Sequence, residues 1–414
     1  MEELTLEHFY AQSLGLEAPW RVTGVVIDGE RKEVSIRVEC AAGEAWVDPQ
    51  TLERAAIKDW QERTWRHLDT CEYQTIISAR VPRVVLSDGS TITVRVPWAE
   101  PGGRFTKRFE SRVISLLLQC RTVRGAARLA GITEDQADGV MHRAVARGLL
   151  RREDQPLKYL GLDEKAIAKG HRYATILNDL EGHRVIDVVP ERTQEAAASL
   201  LGALPEEQRQ KIEAVAMDMW PAYIGAAGEV VPQADIVFDR FHIKKHLNEA
   251  VDKIRRQEHR ELSAAGNLVL KGSKYLWLKT HGDMRLKASS EFRALLVQDL
   301  QTGTAWALKE NFDKLWTYQQ WTRAVRFLHV RFLHHWMESV FTAGLKPLEK
   351  AAEMIGHHAE GILNYIYHRI TNAASEGINS TIQSLKHAAR GLPAFKTFRT
   401  RVLFFLGKLD LNPA

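Results

Sequence analysis

Three carboxylates in separate parts of the chain have the surroundings that metal-dependent chemistry needs. Asp163 closes the apolar run Leu160-Gly161-Leu162, and Asp218 closes Val215-Ala216-Met217. Glu376 lies far downstream, in Asn372-Ala373-Ala374-Ser375-Glu376-Gly377-Ile378-Asn379. Hard divalent cations such as Mg²⁺ take oxygen ligands and keep places for water and phosphate oxygens. Two such ions about 3.5–4 Å apart stabilise the attacking and leaving oxygens of an in-line phosphoryl displacement. That site needs one carboxylate to bridge both ions and others to hold each one. Asp163 is the bridging candidate, and Asp218 and Glu376 each complete one metal. Two ions of Mg²⁺ or Mn²⁺ are the expected cofactor.

Neighbouring residues refine the choice. Adjacent side chains of a strand point to opposite faces, so only one of Asp163 and Glu164 can enter the site. Asp163 is shorter and stiffer. At about 100° per residue, Asn372, Glu376, Asn379, Gln383, Lys386 and Arg390 share one helical stripe, and Ile370, Ala374, Ile378, Leu385 and Ala389 lie largely off it. Such a stripe can hold a metal at one end and grip phosphates with Asn379, Lys386 and Arg390. Asp239, in Val237-Phe238-Asp239-Arg240-Phe241-His242, reads as support for the site or as a cap for the helix that follows. His242 and His246, spaced i, i+4, read as a solvated or phosphate-facing pair, with transition-metal binding as the alternative. Lys244, Lys245, Arg255 and Arg256 belong to a basic cluster between Arg240 and Arg260. Clustered cations of this kind bind nucleic-acid phosphates with salt-sensitive affinity, and are otherwise a solvated helix face.

Elements must position these groups. Residues 153–240 alternate in the order β-β-β-α-β-α-β: strands at Tyr159–Leu162, Tyr173–Leu177 and Arg184–Val189, a helix at Thr193–Leu204, a strand at Ile212–Met217, a helix opened by Pro221 and a strand at Asp235–Phe238. This is the order of a ribonuclease H-like mixed sheet. Asp163 and Asp218 then end neighbouring strands. Residues 241–360 carry almost only helical signals, an insertion ahead of the final helices in 361–414 that carry Glu376. Within the insertion, Trp306, Trp316, Trp321 and Trp336 stand among Lys309, Lys314, Arg323, Arg326 and Arg331. Aromatics among cations can stack on unpaired bases, but a tryptophan's large apolar area favours core packing for most of them.

Residues 1–105 read as a β-rich domain, with hairpins at Asp28-Gly29 and Ser87-Asp88-Gly89-Ser90. Residues 106–152 read as helices, with a break at Gly131-Ile132 and a capping box at Thr133 and Gln136. Two helices about such a turn are a helix-turn-helix candidate or a plain helical hairpin. Gln136, His142, Arg143 and Arg147 are its candidate DNA contacts. The fold class is therefore multidomain α/β.

The 414 residues exceed one ordinary core, and the net charge of +5 is a mild bias toward polyanionic partners. Three separated cysteines (Cys40, Cys71, Cys120) make no disulfide framework, which suits a reducing cytoplasm. No apolar run approaches about 18 residues, so no membrane span is expected. The acidic start Met1-Glu2-Glu3-Leu4 lacks the features of a secretory signal.

At these residues the chain resembles DDE-type insertion-sequence transposases of the ISL-three group. The resemblance is carried by Gly161-Leu162-Asp163-Glu164, Met217-Asp218-Met219-Trp220-Pro221-Ala222-Tyr223, Phe238-Asp239-Arg240-Phe241-His242-Ile243 and the segment about Glu376. Arg63-Thr64-Trp65-Arg66-His67-Leu68-Asp69 and Val81-Pro82-Arg83-Val84 are similar to the family's N-terminal region. The resemblance implies a ribonuclease H-like core with Asp163, Asp218 and Glu376 as metal ligands. It implies strand cleavage and strand transfer at terminal inverted repeats, with water and then a 3′-hydroxyl as nucleophile. DNA ends and target DNA are the implied partners, a homodimer or larger synaptic multimer the implied assembly, and the bacterial nucleoid within the cytoplasm the implied location. A structure-selective nuclease on the same core, or a non-catalytic DNA-binding derivative, are the alternatives. Relatives carry an N-terminal zinc ribbon; here Cys40, His67 and Cys71 make no convincing set of four ligands, so zinc is not expected and apolar packing should hold that domain.

Overall fold

β-branched and aromatic residues set off by turn signals form strands where the sequence predicts them. The computed structural model describes residues 5–41, 45–48, 51–168, 172–280, 286–317, 323–370, 373–389 and 394–413. The chain divides into two units: Met1–Glu153 with Leu385–Gly391 and Lys396–Ala414, and Asp154–Ser384 with Leu392–Phe395.

The first unit opens with α1 (Leu6–Leu14), followed by β1 (Trp20–Asp28), β2 (Glu33–Cys40), β3 (Trp46–Val47), β4 (Arg54–Arg66), β5 (Gln74–Val85) and β6 (Thr91–Thr93). The sheet runs β1-β2-β5-β4-β3, with β6 on β5. Both expected hairpins form, and Asp28 and Asp88 accept from backbone N–H groups inside their turns. The long β4 was not expected. Charged residues recur along its length, so its sequence shows no continuous apolar run. Trp98 stacks edge-on against Trp20 and Trp65 at 5.1 and 5.4 Å over Val34, Ile36, Ile77 and Val81. These residues form the apolar core of the sheet.

Helices α2 (Lys107–Cys120), α3 (Val123–Ala130) and α4 (Glu134–Leu150) follow. Each is capped by a threonine, and Thr133 with Gln136 forms the expected reciprocal capping box. Gly131 takes φ 63° in the turn between α3 and α4, a left-handed conformation that favours glycine.

The second unit contains β7 (Tyr159–Ala168), β8 (Arg172–Asp179), β9 (Arg184–Pro190), α5 (Gln194–Gly202), α6 (Glu206–Arg209), β10 (Ala214–Met217), α7 (Pro221–Val230) and β11 (Asp235–Phe238). Apart from the short α6, this is the expected order. The sheet runs β11-β10-β7-β8-β9, with the first three strands parallel and the rest antiparallel. The helical segment comprises α8 (Arg240–Ala264), α9 (Lys274–Leu278), α10 (Leu286–Leu296), α11 (Gln301–Phe312), α12 (Arg323–Ala343) and α13 (Lys346–His357). It shares one continuous apolar core with the sheet and is no detached body. Trp306, Trp316 and Trp336 are buried in that core, and Trp321 lies outside the described residues. Packing wins there over stacking on DNA.

Helix α14 (Ala359–His368) covers the β11 edge, where Asn364 donates to the Ile236 carbonyl at 3.1 Å. Helix α15 (Ala373–Ala388) carries Glu376, and α16 (Phe395–Leu406) follows. Residues from Lys396 onward were expected with the catalytic sheet, but they belong to the first unit. Arg147 donates to the Leu411 carbonyl at 2.7 Å, and Gly148 lets Leu409 lie against α4. Among the described residues no helix is long and apolar enough to cross a membrane.

Candidate functional site

The parallel register between β7 and β10 creates the site. Ala214, Val215 and Ala216 pair with Tyr159, Leu160 and Gly161. Carried on by two residues, the same register sets Asp218 beside Asp163. Asp163 does not end its strand as expected. Strand β7 runs on with β8 to Ala168, while its pairing with β10 stops at Gly161. The gap left past Met217 is where both aspartates lie.

Asp163 is held from two sides. Its Oδ1 accepts from the Glu164 backbone N–H at 2.7 Å, and its Oδ2 accepts from Asn379 Nδ2 at 2.6 Å. Burial pushes its pKa up from 3.8 to about 6. The Glu164 N–H, His242 and Asn379 oppose that rise, and the nearby Asp218 adds to it. Asp218 accepts from the Trp220 backbone N–H at 3.1 Å, which closes the turn into α7. Glu164 takes the other face, as strand alternation requires, and pairs with Arg192 at 3.0 Å.

Asn379 brings α15 to Asp163, and Glu376 stands almost one turn earlier on the same helix. The Glu376 side chain and Arg390 lie outside the described residues. The Asn379 Oδ1 is buried and has no hydrogen-bond partner among the described residues. Two converging carboxylates and an unsatisfied amide oxygen are the hard donors that Mg²⁺ or Mn²⁺ takes. Asp239 caps α8, its Oδ1 accepting from the Phe241 N–H at 2.9 Å. That capping presents His242 to Asp163. His246 faces Glu249 at 4.0 Å on the exposed side.

Sequence reasoning missed one arrangement beside the aspartates. The Arg192 guanidinium lies between the rings of Tyr173 at 4.2 Å and Trp220 at 4.8 Å. Trp220 Nε1 donates to the Arg192 carbonyl at 3.2 Å, which fixes the indole two residues from Asp218. No local spacing signals this, since Tyr173, Arg192 and Trp220 come from different elements. Tyr223 meets Thr175 at 3.0 Å behind it, and burial lifts the phenol well above its ordinary pKa.

The candidate DNA contacts divide. On α8, Lys245 and Arg256 are exposed, and Arg256 lies 3.2 Å from Asp252. Lys244 pairs with Asp313 at 2.8 Å. Arg255 is buried against Asp252, also at 2.8 Å. On α15, Lys386 is half-buried. On α4, Arg143 and Arg147 both reach the buried Glu110, at 3.0 and 3.3 Å. His142 Nδ1 meets Thr400 Oγ1 at 3.0 Å, and Gln136 serves the capping box. Arg143, Arg147 and Arg255 therefore tie the fold together, where the sequence suggested DNA contacts. A buried carboxylate must be paired, and a partner far along the chain is invisible to helical spacing.

A family model described as "Transposase", of the DDE ISL3 type, matches residues 160–402. The helix-turn-helix domain of transposase family ISL3 matches residues 94–145. The transposase for insertion sequence element IS1001 of Bordetella parapertussis is 30% identical over 353 residues, 83% of each chain. The transposase for IS1557 of Mycobacterium tuberculosis is 22% identical, over 80% of this chain and 78% of its own.

One expectation is overturned. The zinc-finger of transposases IS204, IS1001, IS1096 and IS1165 matches residues 50–85, so the expectation that zinc has no part is withdrawn. It rested on counting ligands, whereas the match runs along β4 and β5. Within that stretch the histidine and cysteine are His67, buried and bonded to Thr106 at 2.8 Å, and Cys71, exposed.

Proposed function

We infer the activity from one premise: the chain belongs to the ISL3 family of DDE transposases. It cleaves and joins DNA strands at the ends of an insertion sequence, on a ribonuclease H-like core. The observation that carries this reading is the junction of β7, β10 and α15, where Asp163 and Asp218 adjoin and Asn379 ties Glu376's helix to Asp163.

Asp163, Asp218 and Glu376 would hold two divalent ions, with Asp163 shared. Bound there, the ions would polarise the scissile phosphate and lower the pKa of the attacking water or 3′-hydroxyl. The chain's residues prepare that place. Asn379 and the Glu164 N–H fix both Asp163 oxygens, so the carboxylate is oriented in advance. Burial among apolar strand residues leaves its charge poorly solvated and eager for a cation. Arg192 neutralises Glu164 on the opposite face, which keeps that carboxylate from competing. The first unit would recognise the terminal inverted repeats, and a dimer or larger assembly would bring two ends together.

The test is incubation of the purified chain with labelled element ends and Mg²⁺, mapping products to the nucleotide. Nicks at the element boundary followed by joining to a target duplex are expected. Cleavage at branched DNA regardless of sequence would favour a structure-selective nuclease. Binding without cleavage would favour a non-catalytic derivative.

A further inference from the structure

We propose that in the first unit a cleft between α3 and the C-terminal helix α16 grips the phosphate backbone of duplex DNA, with Arg124, Arg128 and Arg401 as its cations. This rests on the reading that the helix-turn-helix unit binds DNA, and it moves the grip away from α4.

Helix α4 is poorly equipped for phosphates. Its Arg143 and Arg147 are held by Glu110, and its exposed first turn presents Glu134 and Asp135. Helix α3 is the opposite. Arg124 and Arg128 are exposed one turn apart, Arg124 in the first turn beside the Thr122 cap, where backbone N–H groups favour anions, and Arg128 in the last. Arg401 of α16 completes the wall, and the cleft encloses about 490 Å³. In helix-turn-helix docking the first helix of the pair crosses the DNA backbone while the second enters the groove. Here the first helix is α3.

Arg401 supplies an independent sign. It is half-buried, and its Nε has no hydrogen-bond acceptor. Burial pulls its pKa below the usual arginine range, and Asp138 offsets only part of that. A desolvated guanidinium with an unused donor is stabilised by an anionic oxygen. Glu134 also lines the cleft, 3.9 Å from Arg124 Nε. An exposed pair at that length is weak, and an incoming phosphate can displace it.

The experiment measures binding of the full chain to two short labelled duplexes, an element end and a scrambled sequence, across a salt series. Each lost phosphate contact lowers the slope of log affinity against log salt by about 0.9. The R124Q/R128Q double variant should lose about 2 from the slope and R401Q about 1, equally on both duplexes, while R401K keeps it. Unchanged slopes in folded variants would overturn the proposal, as would a loss confined to the element end. Should R401Q not fold, the double variant at two exposed positions decides. Failure of the unaltered chain to bind either duplex would sink the DNA-binding reading itself.

Discussion

Replacing Asp163 by asparagine should abolish cleavage and yet stabilise the metal-free protein. Folding raises this carboxyl from 3.8 to about 6. Its protonated form is thus favoured in the folded state. That contribution is fully present below pH 3.8 and lost as pH rises through about 6. Above that window the ionised group opposes folding by about 3 kcal/mol, at about 1.4 kcal/mol per unit. Asparagine keeps one acceptor for the Glu164 N–H. Its amide faces Asn379, whose buried Oδ1 has no partner and can accept once that side chain turns over. If half the penalty is recovered, about 1.5 kcal/mol, the second unit should melt about 3–6 °C higher in EDTA at neutral pH. Divalent ions should reverse the order. Saturation at a hundred times the dissociation constant adds about 2.7 kcal/mol to the unaltered chain and little to the variant. Thermal melts of both proteins, with EDTA and with Mg²⁺, make the assay. If Asp163→Asn melts lower than the unaltered chain in EDTA, the burial argument is wrong.

Three further outcomes follow from named contacts. Cleavage at limiting Mg²⁺ should fall as pH drops through about 6, where Asp163 takes up a proton; more Mg²⁺ should move the fall to lower pH, and a rate flat across that range would contradict it. Gly148→Ala should destabilise the first unit and expose its C-terminal tail to protease, although glycine-to-alanine in a helix ordinarily gains about 1 kcal/mol; the new Cβ would stand 2.7 Å from Leu409 Cβ and 3.1 Å from the Asp410 carbonyl. Glu258→Gln should cost the second unit about 2–3 kcal/mol in urea unfolding, because the buried Glu258 accepts from the backbone N–H groups of Gln301 and Thr302 at the start of α11.

The five-stranded sheet was legible because its signals are local. Apolar runs mark β7 and β10, each has an aspartate where its apolar residues give out, and two-residue alternation separates Asp163 from Glu164. The polar stripe of α15 was legible for the same reason, although its Asn379 bonds to Asp163 where the sequence suggested a phosphate contact. Long-range pairing was not legible. Glu110 claims Arg143 and Arg147 from a different helix, and Leu411 closes back on α4 across most of the chain. Neither leaves a periodic trace. Strand β4 was hidden because charged residues interrupt its apolar ones, and Arg192 gains its meaning only once Tyr173 and Trp220 enclose it.

The central claim is that Asp163, Asp218 and Glu376 surround the same metal ions. Anomalous scattering from Mn²⁺ in crystals of the chain bound to an element end tests it most directly. Two peaks about 3.5–4 Å apart, with Asp163 between them and Asp218 and Glu376 each on one, are the expected result. Peaks elsewhere, or Glu376 oxygens outside coordination distance of both, would contradict it.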